Sequence, residues 1–257
     1  MATYTIIERN LYPYYKEIID FEREKRNEID NQDTLSAINM NIILCSACYL
    51  EGILEERGNF LLGYNNAIRE TIHLDEFEQR KAFNTIQNRV RTHFKEKLSH
   101  TTGLDNFDSL FQLFLGVSFK QSNEIKPLVE GINVLFQLRN VIAHGRKAFA
   151  YELEAYYTSG AEEYFTGGYK KAEEYLIKKE LLKDKFFNAD AIDVFFTNSI
   201  ADHFYDLVIT FISLLDEFIK DNLIIGDAII ENLNKYNERA GTELDVYQYF
   251  QMSGITP

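Results

Sequence analysis

Apolar side chains recur at helical spacing over long stretches of this chain, most clearly over residues 33–57 and 190–221. Spacings of three and four residues place such side chains on one face of an α-helix, which then packs against a core. Only 3 prolines and 13 glycines interrupt the 257 residues, and both residue types disfavour helix interiors. We therefore predict an all-α fold, a bundle of long antiparallel helices in which residues 1–257 form a single domain.

Breaks in the apolar pattern set the predicted helix boundaries. Gly58 follows the strongly apolar second helix and is predicted to end it, with residues 60–74 as a mixed connection. The helix over residues 75–98 carries many charges, which favour a solvated face; the alternative is one wall of an RNA-binding cleft. The predicted helices cover residues 8–29, 33–57, 75–98, 105–115, 127–144, 190–221 and 226–237.

The periodicity weakens after residue 147. Residues 147–188 contain many aromatic side chains and are predicted to form an irregular or small β insertion, in which residues 169–185 fit a helix or a strand. Residues 238–257 lack periodicity, which predicts a tail that is either flexible or docked on a partner. His203, next to Asp202 on the long helix near the end of the chain, is predicted to be a surface histidine rather than a catalytic one.

The formal net charge of −13 argues against a protein that holds nucleic acid over a large surface, because phosphate contacts dominate such binding. It leaves room for a small basic cleft or for a basic protein partner, and its simplest consequence is solubility. The sequence shows no signal peptide and no long uninterrupted apolar run. We therefore expect a cytoplasmic protein that does not span a membrane.

The two cysteines, Cys45 and Cys48, form a Cys-x-x-Cys pair inside the predicted second helix. Such a pair can be a redox centre or half of a zinc site. Here it lies among apolar residues, and no second pair of Cys or His occurs at ligand spacing, so buried core residues are the better interpretation. We expect no metal and no cofactor.

The stretch Gly131–Arg146 (GINVLFQLRNVIAHGR) combines an apolar helical stripe with a polar end. Gly145 suits the left-handed residue that ends many helices. At about 100° per residue, Asn140 and His144 share the face opposite the stripe, whereas Arg139 lies about 140° from His144. Either the helix unwinds near His144 or two helices together supply the site. The stripe consists of Val134, Leu135, Leu138, Val141 and Ile142.

A second apolar set, Ile132, Phe136 and Ala143, flanks Arg139. A helix that is apolar on two sides is either deeply buried or shared with a partner chain. We take this pattern as an indication of a symmetric dimer, in which two copies of the stretch face each other across a two-fold axis.

The polar residue types of this stretch suit phosphate chemistry. Arginine carries a permanent charge on a rigid fork that fits phosphate oxygens, and histidine exchanges protons near neutral pH. Asn140 can orient the imidazole or bind a phosphate. With His144 as general base or acid and Arg139 stabilising the developing charge, RNA cleavage by the 2′-hydroxyl needs no metal. The structural alternative is a surface arginine and a histidine that merely caps a helix end.

The pattern Arg139-Asn140-x-x-x-His144 at the end of an amphipathic helix resembles the signature of the HEPN superfamily. The resemblance is specific over about residues 125–147 and general over the two long apolar helices, whose order and character fit that helical-bundle fold. It implies a metal-independent endoribonuclease whose catalytic residues are Arg139, Asn140 and His144. The products would carry a 2′,3′-cyclic phosphate and a 5′-hydroxyl.

The resemblance also implies substrate contacts and partners. Arg146 stands where many family ribonucleases have an aromatic residue, and together with Lys147 it is predicted to contact phosphate. Glu51 is the candidate for a polar residue of the second helix that approaches the motif. Family members often act as toxins paired with antitoxins or in antiviral defence. The expected partners are therefore an RNA substrate, a second copy through the motif helix, and an antitoxin or defence-system protein.

Two other hypotheses stay open. One is an inactive HEPN-type module that binds a nucleotide, RNA or a protein partner. The other is a helical scaffold in which Arg139 and His144 have no joint role. The three hypotheses differ in where these two side chains lie and in whether RNA is cleaved.

Overall fold

The computed structural model is mostly helical, which confirms the all-α class. The residues it describes are 10–70, 89, 92–93, 96–98, 100, 103–144, 149–150, 164–165, 168–182, 195–223 and 227–244. Short 3₁₀ turns cover Arg26–Glu28 and Phe119–Gln121. In chain order the helices are α1 (Tyr12–Lys25), α2 (Gln32–Glu70), α3 (Leu104–Leu115), α4 (Lys126–Ala143), α5 (Gly168–Lys178), α6 (Asn198–Asn222) and α7 (Asp227–Ala240).

The chain groups into two compact units, and α2 and α6 each contribute to both. The first unit comprises Met1–Gly52 and Pro127–Ile212, and the second comprises Ile53–Lys126 and Ser213–Pro257. That the whole chain forms a single domain stays a prediction. Fully buried apolar side chains of the first unit include Ile19, Ile42, Leu135, Leu176 and Phe204; those of the second include Leu54, Phe111, Phe119, Leu215 and Ile219.

In the first unit, ion pairs join α1 and the turn after it to α6. The Asp202 carboxylate accepts hydrogen bonds from Arg23 Nε at 2.8 Å and Arg26 Nη2 at 2.5 Å. Arg23 also stacks over the Tyr205 ring, with its guanidinium carbon 4.7 Å from the ring centroid. Arg26 is buried, so its charge depends on the Asp202 carboxylate for compensation.

In the second unit, α2 and α6 are joined by a bidentate pair. Arg57 donates from Nε and Nη2 to the two carboxylate oxygens of Asp216, at 2.6 and 3.0 Å. Phe111 of α3 meets Phe119 edge-on, with ring centroids 5.6 Å apart. The fork geometry of the arginine fixes the relative orientation of the two helices as well as their separation.

Gly58 does not end the second helix, and the connection predicted for residues 60–74 is wrong as far as the structure reaches, because α2 continues unbroken to Glu70. Gly58 is buried, and a Cβ placed on it would lie 2.8 Å from Leu98 Cδ1. The glycine therefore allows a leucine side chain to pack against the helix backbone; it does not change the direction of the chain.

Residues Gln32–Leu61 of α2 are long and apolar enough, by length and composition alone, to cross a membrane. Half of its most apolar stretch of 18 residues is nevertheless buried inside the protein, as in a core helix. Polar side chains on α2 also have partners within the chain: Asn39 donates to the Phe196 carbonyl at 2.8 Å, and Ser46 donates to the Ile42 carbonyl at 2.7 Å. The cytoplasmic location stays a prediction.

The region after α4 is described only in part. Phe149–Ala150 (β1) and Tyr164–Phe165 (β2) pair antiparallel over two residues each, which is too little to establish a β insertion. Residues 151–163, between the two strands, lie outside the described part of the chain, so the insertion stays a prediction. Residues 169–185, which fitted a helix or a strand, include the helix α5 up to Lys178.

The last helix is longer than its pattern indicates. α7 extends to Ala240, and Gly241 follows in the left-handed region, with φ of +64°. The Asn237 side chain holds the next residues, accepting a hydrogen bond from the Leu244 amide at 3.1 Å and donating to its carbonyl at 2.9 Å. The predicted tail at 238–257 thus begins as ordered chain, and its remainder from residue 245 lies outside the described residues.

Candidate active site at the end of a buried helix

The central part of the motif helix α4 is buried, whereas residues near its start, such as Lys126 and Glu130, are exposed. Val134, Leu135, Leu138 and Val141 of the predicted stripe are buried, and Ile142 is half-buried. Ile132 and Phe136 of the second apolar set are also buried within the chain, at 0% and 4% exposure. Deep burial in the chain itself therefore accounts for most of both apolar sets, and Ala143 is the member that is exposed.

Gly131 brings α4 unusually close to α5 and α6. A Cβ on Gly131 would overlap the Tyr175 hydroxyl and would lie 2.7 Å from Leu207 Cδ2 and 2.9 Å from Tyr175 Cζ. All three residues are buried, so neither neighbour can move into solvent. Because residue 131 has no side chain, α4 packs closer to α5 and α6 than any other residue at this position would allow.

The C-terminal turn of α4 changes character. Asn140, Ala143 and His144 are exposed, in contrast to the buried residues before them. The His144 amide donates to the Asn140 carbonyl at 3.2 Å, so the helical turn is complete as far as His144. Asn140 and His144 consequently lie on the same exposed face, where a ligand can reach both side chains.

Arg139 does not share that face. Its Nη2 donates to Glu51 Oε1 of α2 at 2.5 Å, and its guanidinium carbon lies 5.9 Å from the Phe136 ring centroid. The side chains of Arg139 and Glu51 are only 18% and 19% exposed, and Arg139 Nε is buried without a hydrogen-bond partner among the described residues. The structure thus brings Glu51 to the motif, as an ion-pair partner of Arg139, and leaves Arg139 and His144 on different sides of α4.

The Arg139–Glu51 pair sits in a poorly solvated environment. Burial raises the pKa of Glu51, and the attraction of Arg139 offsets this only in part. Burial likewise raises the pKa of the neighbouring Cys48, with a further increase from the Glu51 charge. When the cost of burying a carboxylate exceeds its attraction to a nearby cation, the ion pair contributes little net stability. Removing one partner would nevertheless leave the charge of the other buried and unpaired.

The cysteines behave as core residues. Cys45 is buried and Cys48 is half-buried, and both thiols are free. Burial raises the pKa of Cys45 to about 12, so its thiol stays protonated at neutral pH. This is the opposite of the lowered pKa that a reactive redox cysteine requires. Among the described residues, no group of three or more His, Cys, Asp or Glu side chains could hold a metal ion.

The prediction that His203 is a surface histidine is wrong. Its Nε2 lies 2.9 Å from the hydroxyl oxygen of Tyr175, a buried residue of α5, and His203 itself is half-buried. Burial lowers the pKa of His203, and the charge of Lys179 lowers it further. Burial also raises the pKa of Tyr175 to about 12. This pair cannot be predicted from the sequence, because the pattern of residues 169–185 fits a helix and a strand equally.

Several predicted site residues lie outside the described part of the chain: Gly145, Arg146 and Lys147 after the motif, and most of the basic helix at 75–98. Of that helix, residues 92–93 and 96–98 are helical, and Arg89, His93 and Lys97 are exposed.

Comparison of the chain with protein-family models, with curated proteins and with solved structures gave no match. Among the described residues, the candidate site therefore comprises Asn140 and His144 at the end of α4, with the Arg139–Glu51 pair beside them.

Proposed function

We propose that this protein is a metal-independent endoribonuclease of the HEPN type, with Arg139, Asn140 and His144 at its catalytic site. The observation that carries the proposal is the contrast along α4: a helix whose core face is buried from Gly131 to Val141 presents Asn140 and His144 together to solvent at its end. An exposed histidine beside an amide, at the end of a firmly held helix, is positioned to exchange protons with a bound substrate.

The proposed reaction transfers the phosphoryl group from one oxygen to another. A base removes the proton of the 2′-hydroxyl, the 2′-oxygen bonds to the adjacent phosphorus, and the bond from phosphorus to the 5′-oxygen breaks. An acid then protonates the departing 5′-oxygen. The products are a 2′,3′-cyclic phosphate and a 5′-hydroxyl, and His144 serves as the base or the acid.

A second copy of the chain would complete this site. The reaction needs both a base and an acid, whereas each chain supplies one histidine at the motif. Asn140, Ala143 and His144 are exposed together at the C-terminal end of α4, where a partner can contact them. A two-fold axis near this turn would bring two histidines to one phosphate. Arg146 and Lys147, directly after the turn, would supply positive charge for the RNA backbone.

In this proposal Arg139 has to leave Glu51 or act from beside it. Its guanidinium is already bound by a carboxylate in a half-buried position. The same observation favours a second candidate function, an inactive module of the same type that binds a nucleotide, RNA or a protein partner. In that case the Arg139–Glu51 pair is structural. For the active enzyme the resemblance implies a cytoplasmic toxin or antiviral-defence effector, with an antitoxin or a defence-system protein as partner.

Cleavage of a mixed RNA pool in excess EDTA tests the proposal. We expect cleavage by the natural protein and a loss of about 10²–10⁴-fold in the His144→Ala variant, the usual contribution of a general acid or base. His100→Ala is the matched control, because His100 is also an exposed histidine and lies outside the basic helix predicted at 75–98. Sedimentation velocity on the same samples reports whether the active species is a dimer; an active monomer would contradict the two-fold site.

Two further variants separate the candidate functions. Arg139→Gln is expected to lower cleavage by about 10²–10³-fold if the guanidinium stabilises the transition state. Glu51→Gln, which keeps a hydrogen-bond acceptor for Arg139, is expected to retain or raise activity because it frees the guanidinium charge. A folded protein that binds RNA but cleaves none in any form would favour the inactive module.

A further inference from the structure

Helix α1 carries a row of exposed apolar side chains on its outer face. Leu11, just before the helix, and Tyr14, Ile18 and Phe21 within it are 66%, 57%, 39% and 61% exposed. Their spacing of three, four and three residues places them within about 80° of arc, along about 15 Å of helix. Ile19, on another side of α1, is fully buried. The helix therefore has one apolar face inside the protein and a second one in solvent.

Single exposed apolar residues need no explanation, but a continuous row does. The other large exposed apolar side chains of the described residues are Leu113 and Val117, next to the end of α3, and Ile209 of α6. None of these forms a row of four. The spacing on α1 is that of the contact positions between packed helices, so the shape of the surface fits another helix. We call Leu11, Tyr14, Ile18 and Phe21 the α1 stripe.

The charges beside the α1 stripe define the partner further. Glu17 and Glu24 are exposed and lie about 40–60° beyond Phe21 around the helix. On the other border lies the half-buried Glu22, which accepts a hydrogen bond from Asn41 at 2.6 Å. At the end of the stripe, the charge of Lys25 is paired with Glu28 at 3.2 Å. The border of the stripe is therefore acidic, which favours Lys and Arg on the bound surface.

The same charges disfavour two other partners for the α1 stripe, a second copy of α1 and an anionic membrane surface. In an antiparallel pair of α1 helices, Glu17 and Glu24 of one copy would face Glu24 and Glu17 of the other, and like charges across a helix interface are destabilising. Each copy also carries a formal net charge of −13. An anionic membrane surface attracts basic helices, so acidic borders oppose that contact as well.

We propose that the α1 stripe binds an amphipathic helix of a partner protein, with apolar residues at heptad spacing and Lys or Arg beside them. The contact would bury the four stripe residues and pair Glu17 and Glu24 with the basic side chains. It uses a different helix from the motif helix α4, so it stands whether or not the protein cleaves RNA.

Two designed peptides of about three heptads provide the test. Both have Leu at the a and d positions, one with Lys and the other with Glu at the e and g positions. We expect the full chain to bind the Lys peptide, and the Tyr14→Gln/Phe21→Gln variant to bind it at least about tenfold more weakly. Leu113→Gln, which changes an exposed apolar residue of α3, is expected to bind like the natural chain.

Charge reversal distinguishes this contact from general attraction to an acidic protein. Glu17→Lys/Glu24→Lys is expected to reverse the preference, from the Lys peptide to the Glu peptide. The control Glu55→Lys/Glu217→Lys makes the same change of net charge at exposed glutamates of α2 and α6 and should keep the preference. An unreversed preference, or no binding of the Lys peptide, would overturn the proposal.

The other occupants give distinct results. Dimerisation in sedimentation velocity that is lost in Tyr14→Gln/Phe21→Gln would assign the stripe to a second copy. Binding to phosphatidylcholine–phosphatidylserine vesicles that is lost in the same variant would assign it to a membrane. Either result would overturn the proposal of a basic partner helix.

Discussion

Replacing Gly131 by alanine tests how the motif helix is held. In a helix interior, Gly→Ala ordinarily stabilises by about 1 kcal/mol, because alanine loses less backbone freedom on folding. At residue 131 the new Cβ would lie 2.7 Å from Leu207 Cδ2 and 2.9 Å from Tyr175 Cζ, and it would overlap the Tyr175 hydroxyl. Carbon atoms in good contact are about 3.5–4.0 Å apart, so α5 or α6 would have to shift.

The size of the effect follows from these contacts. Forcing an extra methyl group into a filled core costs about 1–3 kcal/mol. Displacing Tyr175 would also weaken its 2.9 Å hydrogen bond with His203, worth about 0.5–1.5 kcal/mol. The helix-propensity gain of about 1 kcal/mol offsets part of this cost. We expect Gly131→Ala to lower the free energy of unfolding by about 1–3 kcal/mol.

Urea unfolding followed by far-UV circular dichroism measures this change. Gly58→Ala is the matched control, since it replaces another buried glycine inside a helix. There the nearest atoms to the new Cβ are the two methyl groups of Leu98, at 2.8 and 3.1 Å, at the end of a flexible side chain, whereas the Tyr175 atoms near residue 131 belong to a rigid ring. Gly58→Ala should change stability by less than about 1 kcal/mol. A Gly131→Ala protein as stable as the natural one would refute the close seating of α4.

Three other changes have expected outcomes. Asp202→Asn should destabilise by about 2 kcal/mol in urea unfolding, because it leaves the buried Arg26 without a carboxylate. In a Cys48→Ser background, Cys45, with its pKa raised to about 12, should react with a disulfide reagent only after unfolding, and rapid reaction of the folded variant would contradict its burial. The folded pKa of His203 lies below its ordinary 6.5, so the folded state binds fewer protons than the unfolded chain near and below that pH. The free energy of unfolding should therefore fall on acidification through this range, and less steeply in His203→Gln; equal slopes would refute this contribution.

Local apolar periodicity predicts the buried faces of the helices better than their ends: the helix predicted over residues 190–221, for example, begins at Asn198. The spacing of Val134, Leu135 and Leu138 indicated the buried face of α4, and the short helix at 105–115 is found as Leu104–Leu115. These features depend only on neighbours three and four residues away, which a sequence displays directly.

Features that depend on distant residues were missed. Gly58 resembles a helix stop until Leu98 is seen to fill the space above it. His203 resembles a surface residue until α5 places Tyr175 against it. At the candidate site, the pattern around His144 was visible in the sequence, and Glu51 was named as a neighbour of the motif. That Glu51 binds Arg139 itself, with both side chains half-buried, is a tertiary contact that the sequence does not show.

The most direct test of the central claim uses RNA whose cleavage depends on its own 2′-hydroxyl. Purified protein in excess EDTA is given an RNA substrate and the same sequence with 2′-deoxy nucleotides, and the product ends are mapped. We expect cleavage of the RNA alone, with 2′,3′-cyclic phosphate and 5′-hydroxyl ends, and none in the His144→Ala variant. Cleavage of the deoxy substrate, or RNA cleavage that survives His144→Ala, would contradict the account.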